Sequence, residues 1–408
     1  MTNKPIIRFN EYSDEWEEIT LSDIAEIVDR KTDEQSNAPV MMISAASGFI
    51  NQSEKYSTDN AGSSLKNYIL LKKGELAYNH GYSALRNFGS CFTLEKEEAR
   101  IPFVYHCFSI PSQNPYFYGY YLNCGIFDKQ LRKLVASTAR MDGLLNISYS
   151  DYTSIKVKKP SENEQKELAT FFKNINNLII STQEKLDKAI ILKKSMLEKM
   201  FPKNGAKVPE LRFTGFSGNW QVSELSNYLE VVTEKNESEL YSKENVLSVS
   251  GDYGVVNQIE HQGKSLAGAS LINYGVVHTG DVVYTKSPLK EQPYGIIKTN
   301  KGKTGIVSAL YGIFRKKGEI ITDFIQYYFE SDRRLNEYLR PLVNKGAKNT
   351  LLVSDEDSIK GIVYIPSIME QEVIIKYFDE SSKLITNYRN ELEKLKTIKK
   401  SLLEKMFV

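Results

Sequence analysis

The chain is poor in the residues that announce chemistry. It has only three cysteines, Cys91, Cys107 and Cys124, all in its first half. An odd number leaves no closed disulfide framework, and the spacing fits no zinc site. Four histidines, His80, His106, His261 and His278, are scattered without metal spacing. Neither G-x-S-x-G nor H-E-x-x-H occurs, so two common hydrolase signatures are missing. No apolar run reaches the ~18 residues of a membrane span. The opening MTNKPIIRFNEYSDEW has no signal-peptide pattern, and a cytoplasmic protein is expected. An excess of one charge is lacking too: 53 basic against 51 acidic residues leave a net charge of +2. Near-neutrality neither announces nor excludes a nucleic-acid binder, because patches matter more than totals.

Two short motifs invite a catalytic reading and fail it. KGKTG (301–305) ends like a phosphate-binding loop, but Gly295 lies too far before Gly302 for G-x-x-x-x-G-K-[ST], and a turn is expected. NPYF (114–117) lacks the second proline of the Asn-Pro-Pro-Tyr motif of amino-methyltransferases. Asn114 is expected to cap a helix with Pro115 in its first turn.

What the chain does have is itself, twice. KKSMLEKMF (193–201) returns as KKSLLEKMF (399–407). An offset of 206 aligns residues 40–78 with 246–284, with 14 of 39 positions identical, Tyr78 and Tyr284 among them. Nearer the start the offset is 204: Arg8-Phe9 faces Arg212-Phe213, and Trp16 faces Trp220, the only two tryptophans. At 408 residues the chain suits two or more domains.

Each copy has one internal order. A stretch rich in Gly, Asn, Ser and β-branched residues predicts short strands and turns. An aromatic helical run follows, then a strand ending at Pro160 or Pro366. Ser161-x-x-Glu164 and Ser367-x-x-Glu370 match the capping box that opens a helix. A 4-3 apolar spacing runs from Leu168 to Met200 and from Ile374 to Met406, which predicts two long helices paired as a coiled coil. Lys193 and Lys399 share one seam place and should snorkel or meet an acidic group. Phe171, Leu178, Ile190, Ile191 and Leu197, with Ile375, Tyr377, Leu384, Ile398 and Leu403, lie outside the seam. They want cover, either from the globular parts or from a partner protein. The expected architecture is α+β: two similar globular domains (1–160 and 204–366) separated by two long antiparallel helices (161–203 and 367–408) in a pseudo-twofold, circular layout.

Two divergent globular units alternate with near-identical helices that open as SENEQKELATFF or SIMEQEVIIKYF and close as KKS(M/L)LEKMF. This layout resembles the specificity subunit of type I restriction–modification systems over the whole chain. ARMDGLLNISYSDY (139–152) and AKNTLLVSDED (347–357) resemble that family's passage from target-recognition domain to helix. The resemblance implies a non-catalytic chain in which each globular unit is a target-recognition domain reading one half of a bipartite DNA site. It implies helices that set the gap and dock methyltransferase subunits. It also implies two methyltransferase and two translocase–nuclease partners, which carry S-adenosylmethionine, ATP and Mg, and no cofactor in this chain.

Reading heads need amides, guanidinium groups and lysines on loops, with aromatics alongside. The copies diverge after Tyr78 and Tyr284, where NHGYSALRNFGS faces TKSPLKEQPYGIIK. Tyr82, Arg86 and Asn87 are the candidates in the first copy, and Lys286, Lys290, Gln292 and Tyr294 in the second. A second loop offers Arg140 in the first copy, and Lys345, Lys348 and Asn349 in the second, as phosphate contacts. For each residue singly, a solvated loop side chain is the alternative. Trp16 and Trp220 are expected in the cores. The rival whole-chain reading is a coiled-coil scaffold with two protein-binding heads and no DNA readout.

Overall fold

The computed structural model describes residues 4–32, 36–55, 62–135, 145–203, 205–286, 292–345 and 351–408, by backbone alone at 62–64, 344–345 and 351–352. The chain divides into two compact units. Unit 1 is Met1–Gln183 with Asn390–Val408, and unit 2 is Glu184–Arg389.

Unit 1 centres on a four-stranded antiparallel sheet in the order Glu26–Ile27, His106–Ser109, Leu76–Asn79, Ser90–Thr93. Three antiparallel strand pairs accompany it: Glu17–Thr20 with Lys156–Lys159, Met41–Ser44 with Gly48–Asn51, and Ile69–Lys72 with Glu98–Ile101. Unit 2 repeats the plan. Its sheet runs Leu229–Val231, Tyr311–Lys316, Val282–Thr285, Ile296–Thr299. Its pairs are Gln221–Glu224 with Ile362–Ile365, Leu247–Ser250 with Gly254–Asn257, and Gly275–Val277 with Gly305–Val307. The strands begin within one residue of the offsets that align the sequence, so the internal repeat is a structural one.

The aromatic runs form two helices in each unit, Pro115–Tyr121 and Asp128–Leu134, then Thr322–Tyr328 and Asp332–Leu339. Asn114 caps the first of them as expected, its side chain accepting from the N–H groups of Tyr116 and Phe117. Burial of Phe117, Tyr118 and Tyr121 on one side, and of Phe324, Tyr327 and Tyr328 on the other, builds the two main cores. Trp16 packs edge-on against Phe117 and Tyr121, and Trp220 against Phe201 and Phe324. Both tryptophans are core anchors.

The long helices span Glu162–Lys199 and Ile368–Met406, 38 and 39 residues; at about 1.5 Å per residue each is about 57 Å long. In unit 1 the opening of the first helix packs against the end of the second. Leu168, Ala169 and Phe172 share a core with Met406 and Phe407, and the Phe172 and Phe407 rings stack with centroids 5.3 Å apart. In unit 2 the roles reverse: Ile374 and Phe378 share a core with Leu197, Met200 and Phe201. Opening beside end in each unit makes the helices antiparallel. The layout also closes on itself within unit 1. The Ile7 N–H donates to the Lys405 carbonyl at 2.9 Å, and the Tyr121 hydroxyl donates to the Val408 carbonyl at 2.6 Å.

The expected capping boxes are only half present. Ser161 and Ser367 do accept from the N–H groups of Glu164 and Glu370, each at a long 3.4 Å. The glutamates, however, do not serve the caps. Glu164 is 1% exposed and accepts from Nε and Nη2 of Arg8 at 2.7 and 2.8 Å, and from the Trp16 indole N–H at 3.2 Å. Glu370 accepts from Nε and Nη2 of Arg212, each at 2.7 Å. The next residue is also a buried latch. Gln165 donates to the Pro160 carbonyl and accepts from the Asn114 N–H; Gln371 donates to the Pro366 carbonyl and accepts from the Ile321 N–H. These forked, charge-assisted contacts tie each unit's first segment to the opening of its long helix.

The residues outside the seam separate into three groups. Leu197 and Ile375, counted as candidate partner contacts, take their cover from the globular part instead and are buried in the core of unit 2, because the helix ends run beneath it. Phe171, Tyr377 and Leu403 are half-buried: Phe171 packs on Phe9, Tyr377 on Phe213, and Leu403 joins the unit 1 core. Leu178, Ile190, Ile191, Leu384 and Ile398 remain exposed, joined by Ile180 and Leu192, which the heptad reading passed over. Lys193 meets Glu330 at 2.7 Å. Lys399 is half-buried, and burial holds its ammonium below the ordinary lysine range.

Candidate nucleic-acid interface

Register places the divergent segments at one end of each central sheet. Strand Leu76–Asn79 is the middle of three, with Tyr78 opposite both Cys91 and His106. The loop 80–89 leaves its far end and returns as strand Ser90–Thr93. The turn 102–105 feeds His106–Ser109 at that same end, because the strands are antiparallel. The chain also re-enters there, since the Leu145 N–H donates to the His80 carbonyl at 2.9 Å. In unit 2 the pairing of Thr285 with both Ile296 and Tyr311 brings the matching loop and turn together.

The loop is pinned at its root by the shared framework. The Tyr78 hydroxyl donates to the Phe88 carbonyl at 2.6 Å, and the Tyr284 hydroxyl donates to the Tyr294 carbonyl at 2.9 Å. Burial pushes both phenols above their ordinary range, so they stay protonated donors. Gly89 and Gly295 follow at φ +83° and +85°, with backbone passing where a Cβ would stand. Only glycine suits that combination of positive φ and close approach. Tyrosine and glycine thus hold the stem constant while the loop body varies.

Within the first loop, mutual backbone bonds between Ser83 and Arg86 at 3.1 Å make a tight turn. Tyr82 is 65% exposed, Leu85 is 68% exposed, and Asn87 also faces solvent. Arg86 departs from the expectation of a free base reader. Its side chain turns inward, 3.8 Å from Asp128 at the head of helix Asp128–Leu134. In the second loop Lys286 forms an ion pair with Asp355 at 2.8 Å, and the Gln292 amide lies 3.4 Å from Asp332. Tyr294 is half-buried against the unit 2 core. Of the other candidates, Lys345 lies on strand Asn344–Lys345, which pairs antiparallel with Leu351–Leu352, while Arg140, Lys290, Lys348 and Asn349 fall outside the described residues.

One position does similar work in both units, and only its second copy, Lys286, was among the sequence candidates; His80 was passed over. His80 brackets three segments: its ring nitrogens lie 2.6 Å from the Leu145 carbonyl and 2.8 Å from the Val104 carbonyl. The ring stacks on His106 with centroids 4.9 Å apart. Its counterpart at offset 206 is Lys286, which ties the second loop to helix Asp355–Ser358. The signal available in the sequence was position alone: each is the second residue after the shared tyrosine. Among the described residues no cluster of His, Cys, Asp or Glu suits a metal ion, and no helix is long and apolar enough to cross a membrane.

No family model matches the chain. It is 26% identical over 314 residues to a protein named as the type I restriction enzyme MjaX specificity subunit of Methanocaldococcus jannaschii, covering 72% of this chain and 68% of that relative. The solved S subunit of the type I restriction–modification system from M. genitalium superposes over 99% of both chains with a TM-score of 0.57 at 13% identity, which establishes a shared fold. The resemblance drawn from the two-copy layout and the α+β architecture are both borne out.

Proposed function

We propose that this chain, a relative of the type I restriction specificity subunits, is the subunit that reads the DNA site for a type I restriction–modification complex. Each unit reads one half of the site with the segments gathered at the end of its central sheet. The loops differ in length of side chain, charge and shape, so the two halves differ and the site is asymmetric. The long helices set the gap between the halves, and their exposed apolar residues dock methyltransferase subunits. Methylation, ATP hydrolysis and cleavage belong to partner chains, two of each kind, which hold S-adenosylmethionine, ATP and Mg.

One observation carries the reading: two copies of one framework, with the same tyrosine latch, present different side chains at the same sheet end. A constant stem with a variable tip is what a pair of specificity modules needs. The partnered state of Lys286 and Arg86 fits a division of labour in which partner subunits supply much of the phosphate grip.

The test uses the chain reconstituted with its modification subunits and a duplex carrying the site mapped from methylated adenines. Raising salt from about 50 to about 200 mM should weaken binding by about 10³-fold, as expected for several phosphate contacts. Binding to no duplex with the partners present would overturn the reading in favour of a protein-binding scaffold.

A further inference from the structure

The turn 102–105 is built like the recognition loop, with a constant frame around a variable tip. Tyr105 and Tyr311 are identical at offset 206, as are Phe108 and Phe314. The Tyr105 N–H donates to the Pro102 carbonyl at 3.0 Å, and the Tyr311 N–H to the Ser308 carbonyl at 3.0 Å. The same turn therefore closes in both units. Between the matched positions the tips differ: Phe103-Val104 in unit 1, Ala309-Leu310 in unit 2.

Both tips show apolar side chains to solvent. Phe103 is 51% exposed and Leu310 69%. Large apolar groups at a turn are costly to leave in water without a use, and a turn tip is free to be polar. In unit 1 the tip is also held in place, because the His80 ring binds the Val104 carbonyl at the root of the recognition loop. Sheet register puts the tip and that loop at the same end.

We infer that this turn is a second reading element, in which Phe103 in unit 1 and Leu310 in unit 2 make apolar contact with a thymine 5-methyl group in the major groove. The inference rests on the DNA-reading function proposed above. Thymine offers the only methyl among the major-groove base edges, and apolar side chains are its natural partners. A polar loop and an apolar turn on one sheet end then read different features of the DNA. The loop bonds to base edges, and the turn selects A·T pairs by their methyl. Phenylalanine and leucine reach different distances, which adds to the difference between half-sites.

The experiment measures binding of the reconstituted complex to its mapped site with thymines of one half-site replaced by uracil, which deletes only the methyl. Wild type should lose about fourfold at one position of the first half, the worth of one buried methyl. Phe103→Ala should lose a similar amount on thymine DNA and become indifferent to uracil there. Leu310→Ala should show the same pattern in the second half alone. Uracil tolerated at every thymine, with Phe103→Ala binding like wild type, would overturn the turn's role while specific binding upheld the parent reading. Failure of wild type to prefer its site over a scrambled duplex would sink both. Loss of modification-subunit binding by Phe103→Ala without DNA would reassign the turn to protein docking and overturn the inference.

Discussion

Alanine in place of Glu370 is expected to destabilise unit 2 by about 3–5 kcal/mol in urea unfolding, the range for breaking a buried pair from one side. The carboxylate is 2% exposed and accepts from Nε and Nη2 of Arg212, itself largely buried. Removing it leaves a guanidinium without its counter-charge below the protein surface. The Arg212 Nη1 group, which donates to the Gly218 carbonyl at 2.7 Å, cannot compensate, because a carbonyl carries no net negative charge. Replacing Arg212 and Glu370 together by methionine should be far milder, since no unpaired charge remains. If the single alanine variant unfolded at the wild-type urea midpoint, the latch would be ornamental. The same substitution at Glu164 should act on unit 1, where Trp16 loses a hydrogen-bond partner as well.

The second large effect is on specificity. Gly295→Ala would set a Cβ 1.9 Å from the Thr285 carbonyl oxygen at φ +85°, and Gly89→Ala one 2.5 Å from that of Asn79. Neither contact is tolerable, so the loop root must shift. Each misplaced base contact costs about 1–3 kcal/mol, and a displaced loop misplaces more than one. Methylation at the cognate site should therefore fall by about 100-fold or more. Sites degenerate in one half only should become comparatively favoured, with Gly89→Ala relaxing one half and Gly295→Ala the other. Methylation mapping of the two variants reads this directly. Equal relaxation of both halves by either variant would mean that the loops do not act separately.

Much of the architecture was legible because it is written twice. An offset of 206 is visible in identities such as Tyr78 and Tyr284, and the strands that follow those identities begin and end within one residue of it. The long helices were legible from heptads, and Asn114 from local capping chemistry. What misled was reasoning that stops at neighbours in sequence. Ser161-x-x-Glu164 is a valid capping box in isolation, yet Arg8, 156 residues away, offers the carboxylate a full charge and two donors. The clue was the repetition of Arg, Trp and Glu-Gln in both copies, at positions too far apart for any local role. Heptad spacing could not choose between the two covers for Leu197 and Ile375 for a related reason: a position off the helix seam is exposed only where no globular part covers it. At the candidate site, divergence between matched positions singled out a loop that leaves one end of the central sheet. It could not show that Arg86 faces Asp128, since that depends on a helix much further along the chain. It also passed over the turn at Phe103, because apolar residues between strands read as interior.

The claim that two modules read two halves independently is tested most directly by a chimera. Residues 1–160 are exchanged for the corresponding part of another specificity subunit, and the methylated sites are mapped in cells that also carry the modification subunits. The expected result is a new sequence in one half, with the other half and the gap between them unchanged. A chimera that altered both halves, or altered the gap, would contradict modular reading.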